Sequence, residues 1–152
     1  MHHFTSTLMR LGLFLALTTA AVSTAPAGTI LITPEEARLP APKQMADSRA
    51  ITRGPRIEIS DIDDGKLHSP LHFSLKFRSY GGSLIDVDSV AVIYLRGSNV
   101  DLTQRVKPYV RSTGIDIPDA EVPPGEHAIR VNVKDSEGRS ATTSFFLTVA
   151  PN

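Results

Sequence analysis

Hydrophobic and polar residues alternate most clearly over residues 71–79. In an extended chain Leu71, Phe73, Leu75 and Phe77 fall on one face, and the polar residues between them fall on the other. This period of two is typical of a β-strand with one side in a hydrophobic core. We therefore predict a strand here, ended by the paired glycines that follow it.

Other stretches with the alternation or composition of short strands are residues 56–60, 90–95, 115–117, 127–134 and 140–149. Residues 90–95 are apolar on both faces, so either alternate set fits the core. In the last two strands the predicted inward residues are Ile129, Val131, Val133, Ala141, Thr143, Phe145, Leu147 and Val149. Residues 135–138 predict the hairpin loop between them. Asp101 predicts the N-cap of a short helical connection over residues 102–106.

The N-terminal residues follow a different pattern, that of a secretory signal peptide. Residues 11–17 form an apolar run after Arg10, and Ala25-Pro26-Ala27 supplies the small residues that a signal peptidase accepts. The run is shorter than the roughly 20 residues that cross a bilayer. We interpret residues 1–27 as a signal peptide cleaved before Gly28. An uncleaved N-terminal anchor and a buried helix are the alternatives.

Residues 28–55 contain several prolines and are interpreted as a flexible leader. Within them, Thr33 to Glu36 form a capping box with proline at the first helical position, which predicts one helical turn. The β-prone residues 29–33 are predicted either to dock as an extra strand at the domain edge or to form a mobile terminus. No internal repeat is visible, so we expect a signal peptide (1–27), a leader (28–55) and one domain (56–150).

Composition narrows the location and the partners. Export predicts a periplasmic or secreted protein. The chain has no cysteine, which excludes both disulfides and a lipid on a processed N-terminal cysteine. No second apolar stretch approaches transmembrane length, so no integral membrane anchor is expected. The whole chain has 16 Lys and Arg and 16 Asp and Glu, and removing residues 1–27 takes away only Arg10, which leaves a net charge of −1. Nucleic acid and anionic membrane are therefore not expected as partners.

Residues 124–138 have the pattern PGxHxIxVxVxDxxG, and a strand ending in residues 145–149 follows them. Together with residues 85–90 (IDVDSV), this hairpin resembles that of bacterial immunoglobulin-like domains, over roughly residues 55–150. The resemblance implies an all-β, immunoglobulin-like antiparallel β-sandwich of about seven strands. It implies little about function, because such modules serve as spacers, adhesin repeats, enzyme appendages and ligand binders. The chain lacks the tryptophan and the cysteine pair of antibody domains.

Acidic residues at the two ends of the expected sandwich raise the question of calcium, which prefers several oxygen ligands. The first end carries Asp61, Asp63 and Asp64 beside Gly65, together with Asp116, Asp119, Glu121 and Glu126. The second end carries Asp86, Asp88, Asp135 and Glu137. The alternative interpretation, which we favour, is that Asp and Gly serve the turns. No metal-binding residue is assigned.

The sequence shows no catalytic constellation. His68 and His72 flank Pro70, which interrupts a helix, and without cysteine a zinc site is not expected. His127 only begins a strand. No serine lies in a G-x-S-x-G motif, and the glycines before Ser83 lack the lysine of a phosphate loop. We therefore expect no enzyme activity and assign no catalytic or cofactor-binding residue.

Phe146 is the one indication of a binding surface. By alternation it faces away from the core and forms a flat polar–aromatic strip with Thr142, Ser144 and Thr148. The alternative is that the leader or a loop covers it.

Taken together, the sequence predicts a non-catalytic interaction module that binds another envelope or secreted protein by strand addition at an exposed edge. The candidate donor strand is residues 29–33, acting on its own domain or on a neighbour. The alternatives are a calcium- or carbohydrate-binding module and an accessory subunit of an envelope enzyme.

Overall fold

The structure is a computed structural model that describes residues 28–41, 54–60 and 67–151. Three of the sequence-based predictions lie outside these residues: the signal peptide (1–27), the second part of the leader (42–53) and the acidic stretch at residues 61–64.

In the described residues the chain forms nine strands, of which three have only two residues. The strands are β1 (Thr29–Ile30), β2 (Arg56–Ser60), β3 (Leu71–Arg78), β4 (Ile85–Tyr94), β5 (Val100–Asp101), β6 (Val110–Arg111), β7 (Gly114–Glu121), β8 (Gly125–Asp135) and β9 (Ser140–Val149). The helical segments are α1 (Pro34–Ala37), α2 (Thr103–Val106) and a 3-10 turn (Lys107–Tyr109). Neither helix has the length or apolar character that a membrane crossing requires.

The strands form two sheets that pack face to face. The first has the order β1-β7-β3-β2, with β6 also pairing with β7, and the second has the order β5-β4-β8-β9. Every pairing is antiparallel except that of β1 with β7. The predicted all-β sandwich is thus confirmed as an architecture of two packed, mainly antiparallel sheets.

The core lies between the sheets and follows the predicted alternation. The rings of Phe73 in the first sheet and Phe145 in the second stack with their centroids 6.3 Å apart. In β4 the inward set is Val90, Val92 and Tyr94, which resolves the alternative that the apolar sequence left open. Each large side chain that is fully buried contributes about 1.5–3 kcal/mol through the hydrophobic effect. Without disulfides, this core carries the stability of the domain.

Three strands extend beyond their predicted bounds: β8 gains two residues at its start and one at its end, and β4 and β7 gain more. β4 begins at Ile85, and its pairing with β8 shifts register between Asp86 and Ala91. That irregularity interrupts the period of two, so alternation alone does not reveal the start of the strand. β7 likewise continues to Glu121, through a register shift on β3.

The helical connection begins at Thr103, two residues after Asp101, so the predicted N-cap position is wrong. The Asp101 carboxylate nevertheless accepts a 2.8 Å hydrogen bond from the Thr103 N–H, which holds the start of the turn.

The first part of the leader packs on the sandwich. Thr29 and Ile30 pair with the end of β7, while Leu31 and Ile32 are almost fully buried in the core. The predicted capping box is present, with Thr33 and Glu36 bonded to each other's backbone N–H groups. Residues 29–32 therefore take the docked arrangement rather than the mobile one. Within residues 28–41, Leu31 and Ile32 thus belong to the core, whereas Ile30 and Leu39 remain exposed.

Candidate interaction surface

Strand β9 forms one edge of the second sheet. It pairs with β8 along its whole length of 10 residues. On its other side, within residues 28–41, 54–60 and 67–151, the backbone partner is Leu67, which forms a parallel bridge to Val149. The Ala150 N–H donates a 2.7 Å hydrogen bond to the Leu67 carbonyl there.

The phase of the β8–β9 ladder determines which backbone groups point outward. The Asp135 N–H donates to the Arg139 carbonyl at 2.9 Å, so this pair is a hydrogen-bonded one. Hydrogen-bonded pairs alternate along an antiparallel ladder. The N–H and C=O groups of Thr142, Ser144 and Phe146 therefore point away from β8, toward the open edge.

The open edge of β9 has none of the features that usually prevent edge-to-edge pairing. No charged residue, proline or glycine occurs from Ser140 to Ala150. Natural edge strands are generally short or carry charges, prolines or bulges. The edge strand of the first sheet, β2, follows that rule with Arg56 and Glu58 in only 5 residues. The two edges thus differ, and only β9 presents a long uncharged template.

Phe146 lies beside this edge with 48% of its surface exposed, as its position in the alternation predicts. Its partner across the sheet is Ala128, which is too small to shield the ring. On the same face, the Thr142 hydroxyl donates a 2.8 Å hydrogen bond to the Asn132 side-chain oxygen. The described part of the leader lies against β7 and α2, and Leu39 and Pro40 accept hydrogen bonds from Arg96 and Gly97, which follow β4.

The second predicted acidic group does not assemble into a cation site. Asp135 has a fully buried carboxylate that accepts hydrogen bonds from the Arg139 side chain at 2.7 Å and from the backbone N–H of Glu137 at 3.0 Å. Burial alone would raise the pKa of the Asp135 carboxyl, but the hydrogen bonds from Arg139 and Glu137 hold that pKa below its ordinary value. Asp135 thus organises the β8–β9 hairpin.

The described residues contain no group of three or more side chains placed to hold a metal ion. Of the first predicted acidic group, Asp116, Asp119 and Glu121 lie along β7, and Glu126 lies on β8. The Asp116 carboxylate is 2.5 Å from His72 Nε2 on the surface of the first sheet.

His127 is a buried polar residue whose role the sequence analysis missed. Its Nδ1 lies 2.9 Å from the Tyr94 hydroxyl, and its Nε2 lies 2.8 Å from the Pro123 carbonyl. Burial lowers the pKa of the His127 imidazole and raises the pKa of the Tyr94 phenol. Because His127 is only 1% exposed, it cannot meet a ligand from solvent, and it ties the start of β8 to β4. The alternation that it shares with Ile129 and Val131 was the signal that it points inward.

No protein-family model matches the chain, and no curated protein or solved structure shows significant similarity to it.

Proposed function

We propose that this chain is an exported, non-catalytic binding module with an immunoglobulin-like fold, and that it binds an extended segment of another protein at the open edge of β9. The observation that carries the proposal is the edge of β9, which is uncharged and, within residues 28–41, 54–60 and 67–151, has a backbone partner only at Leu67. Edge strands of this kind are templates for β-strand addition.

Strand addition at this edge would use backbone groups first. The outward N–H and C=O groups of Thr142, Ser144 and Phe146 would pair with the incoming strand, and each hydrogen bond contributes about 0.5–1.5 kcal/mol net. Side chains of the partner would lie over the exposed ring of Phe146, which supplies apolar area and some specificity.

The structure already contains a short example of pairing at this edge. The parallel bridge of Leu67 to Val149 occupies the end of the edge. The same chain also adds β1 to β7, so residues 29–33 act on their own domain and not as a free donor. A partner strand would occupy the open part, from Ser140 to Phe146.

Export rests on the N-terminal sequence. The apolar run at residues 11–17 and the small residues before Gly28 support delivery to the periplasm or the medium. The proposed partner is therefore another envelope or secreted protein.

The test uses a proline at the edge. Ser144→Pro removes an outward N–H while leaving the β8 ladder intact, so we expect it to abolish partner binding with little change in melting temperature. Ser144→Thr, which keeps the N–H, is the matched control and should bind normally. The partner is first identified by cross-linking in the native envelope fraction, and its affinity is then measured with both variants.

Amide hydrogen exchange gives a direct readout of the same pairing. Binding should slow exchange at Thr142, Ser144 and Phe146, whose N–H groups face outward, more than at the residues between them. A partner that binds Ser144→Pro as tightly as the parent protein, or that leaves these amides unprotected, would contradict strand addition.

A further inference from the structure

A groove of about 430 Å³ crosses the outer face of the first sheet, opposite the surface described above. This volume is within the range of small-ligand sites. The polar residues that line it are Ser74, Lys76, Arg78, Arg111, Thr113 and Asp116. They come from β3, β6 and β7 and from the turn between β6 and β7, so the groove rests on three paired strands.

Gly114 lies in the lining of the groove, carries no side chain and is itself buried. Lys76 on β3 and Arg111 on β6 both pair with Gly114 in the sheet register, one on each side. Gly114 has φ +154°, and a Cβ there would lie 2.0 Å from the Leu75 carbonyl oxygen, so no side chain is accommodated. The two cationic residues thus flank a gap, with their backbones about 10 Å apart, which is two strand spacings.

Positive charge is concentrated around this gap. Arg56 lies directly opposite Arg78 in the β2–β3 register, an arrangement of like charges that costs stability. Glu58 lies opposite Lys76, but its carboxylate binds Arg78 Nε at 3.0 Å. Among the described residues, neither Lys76 nor Arg111 forms an ion pair with a carboxylate. The whole chain carries no net charge. The excess of positive charge around the groove is therefore local and does not reflect a basic protein.

The other lining groups indicate which anion fits. Ser74 and Thr113 offer hydroxyl groups at the rim, and Asp116 offers a carboxylate that would accept hydrogen bonds from sugar hydroxyls and would repel a densely charged polyphosphate. The one aromatic residue in the lining, Phe77, has its side chain in the core, so no ring is available to stack on a nucleobase.

We propose that this groove binds an acidic oligosaccharide, with a sugar carboxylate placed over Gly114 between Lys76 and Arg111. This binding site is independent of the open edge of β9, which lies in the other sheet.

The experiment measures binding of tetragalacturonic acid to the full chain by calorimetry at low salt. Lys76→Gln and Arg111→Gln should each weaken binding by about tenfold, as expected for loss of a charge-assisted hydrogen bond. Arg130→Gln, on the outer face of the second sheet, is the matched control and should bind as the parent protein does. Lys76 and Arg111 are exposed and Arg130 is half-buried, and unchanged melting temperatures show that the variants fold.

Two further ligands test the chemical class. A neutral maltotetraose should not bind, which shows that the carboxylates are required. A tetraglutamate peptide should bind at least tenfold more weakly than the oligosaccharide if the sugar hydroxyls are recognised. Equal binding of the peptide would overturn the assignment to a saccharide, and no binding of tetragalacturonic acid, or an equal loss with Arg130→Gln, would overturn the site.

Discussion

His127 and Tyr94 form a hydrogen-bonded titratable pair in the buried part of the molecule. Neutral His127 satisfies both ring nitrogens: Nε2–H donates to the Pro123 carbonyl, and Nδ1 accepts from the Tyr94 hydroxyl. Burial, and to a smaller extent the positive charge of Arg96, lowers the pKa of His127 and so disfavours a cation at this position. At the scale of the residue, the hydrogen bonds and the burial of His127 therefore favour its neutral form.

This arrangement predicts acid sensitivity. The pKa of His127 is lowered in the folded state, so its contribution to stability is complete above the unfolded value of about 6.5 and is lost as pH falls toward the folded value. We expect the melting temperature to fall between pH 7 and pH 5 in the parent protein and to fall less in His127→Gln. A slope unchanged in His127→Gln would contradict the assignment.

At the scale of the element, residues 28–41 act as a clasp across one side of the sandwich. β1 pairs with β7 in the first sheet, and Glu36 binds Arg105 of α2 through two hydrogen bonds of 2.8 and 2.7 Å. The same guanidinium also donates to the Leu31 carbonyl at 2.9 Å. Hydrogen bonding from Arg105, with smaller contributions from Thr33, lowers the pKa of Glu36 to about 2 despite partial burial. The ion pair therefore persists at any ordinary pH.

A substitution at Leu31 measures how much residues 28–41 contribute to the stability of the core. Leu31→Ala should lower the free energy of unfolding by about 2–5 kcal/mol, because it removes a fully buried side chain and leaves a cavity. Ile30→Ala is the matched control: its side chain is 53% exposed, so we expect a change within about 0.5 kcal/mol. Urea denaturation of both variants measures the difference, and equal small effects would show that the clasp is dispensable.

The elements show what local sequence can and cannot predict. The bounds of β2 and β9 are confirmed to the residue, because strict alternation and flanking turns define them. The exposure of Phe146 follows from the same alternation. Alternation assigns faces but not neighbours, so it could not show that β9 lies at an edge or that residues 29–32 find β7. The groove at Gly114 was also missed, because it depends on the register of three strands that are distant in sequence.

At the scale of the whole molecule, the two sheets offer different surfaces. One carries the cationic groove, and the other carries an uncharged edge with an exposed aromatic ring. The total charge of the chain is balanced, so it does not indicate that positive charge is concentrated at the groove. The sequence-based expectation that nucleic acid and anionic membrane are not partners rested on the total charge, which does not report how the charges are placed.

An uncharged edge on a molecule without net charge predicts self-association at high concentration. Thr142→Glu introduces a charge at the edge and should reduce light scattering of concentrated solutions without loss of folding. Ser60→Glu adds the same charge to β2, an edge that already carries Arg56 and Glu58, and should change the scattering little. Equal effects of the two variants would mean that net charge, and not the edge of β9, controls association.

The pairing of β1 with β7 joins residues that are separated by about ninety positions in the chain. Closing so long a loop costs conformational entropy before the contact is formed, so distant contacts of this kind form late and slow the folding of a domain. In a chain that emerges N-terminus first, Leu31 and Ile32 have no core to enter until β7 has appeared. The parallel pairing of β1 with β7 therefore forms late in folding, after most of the chain has been synthesised.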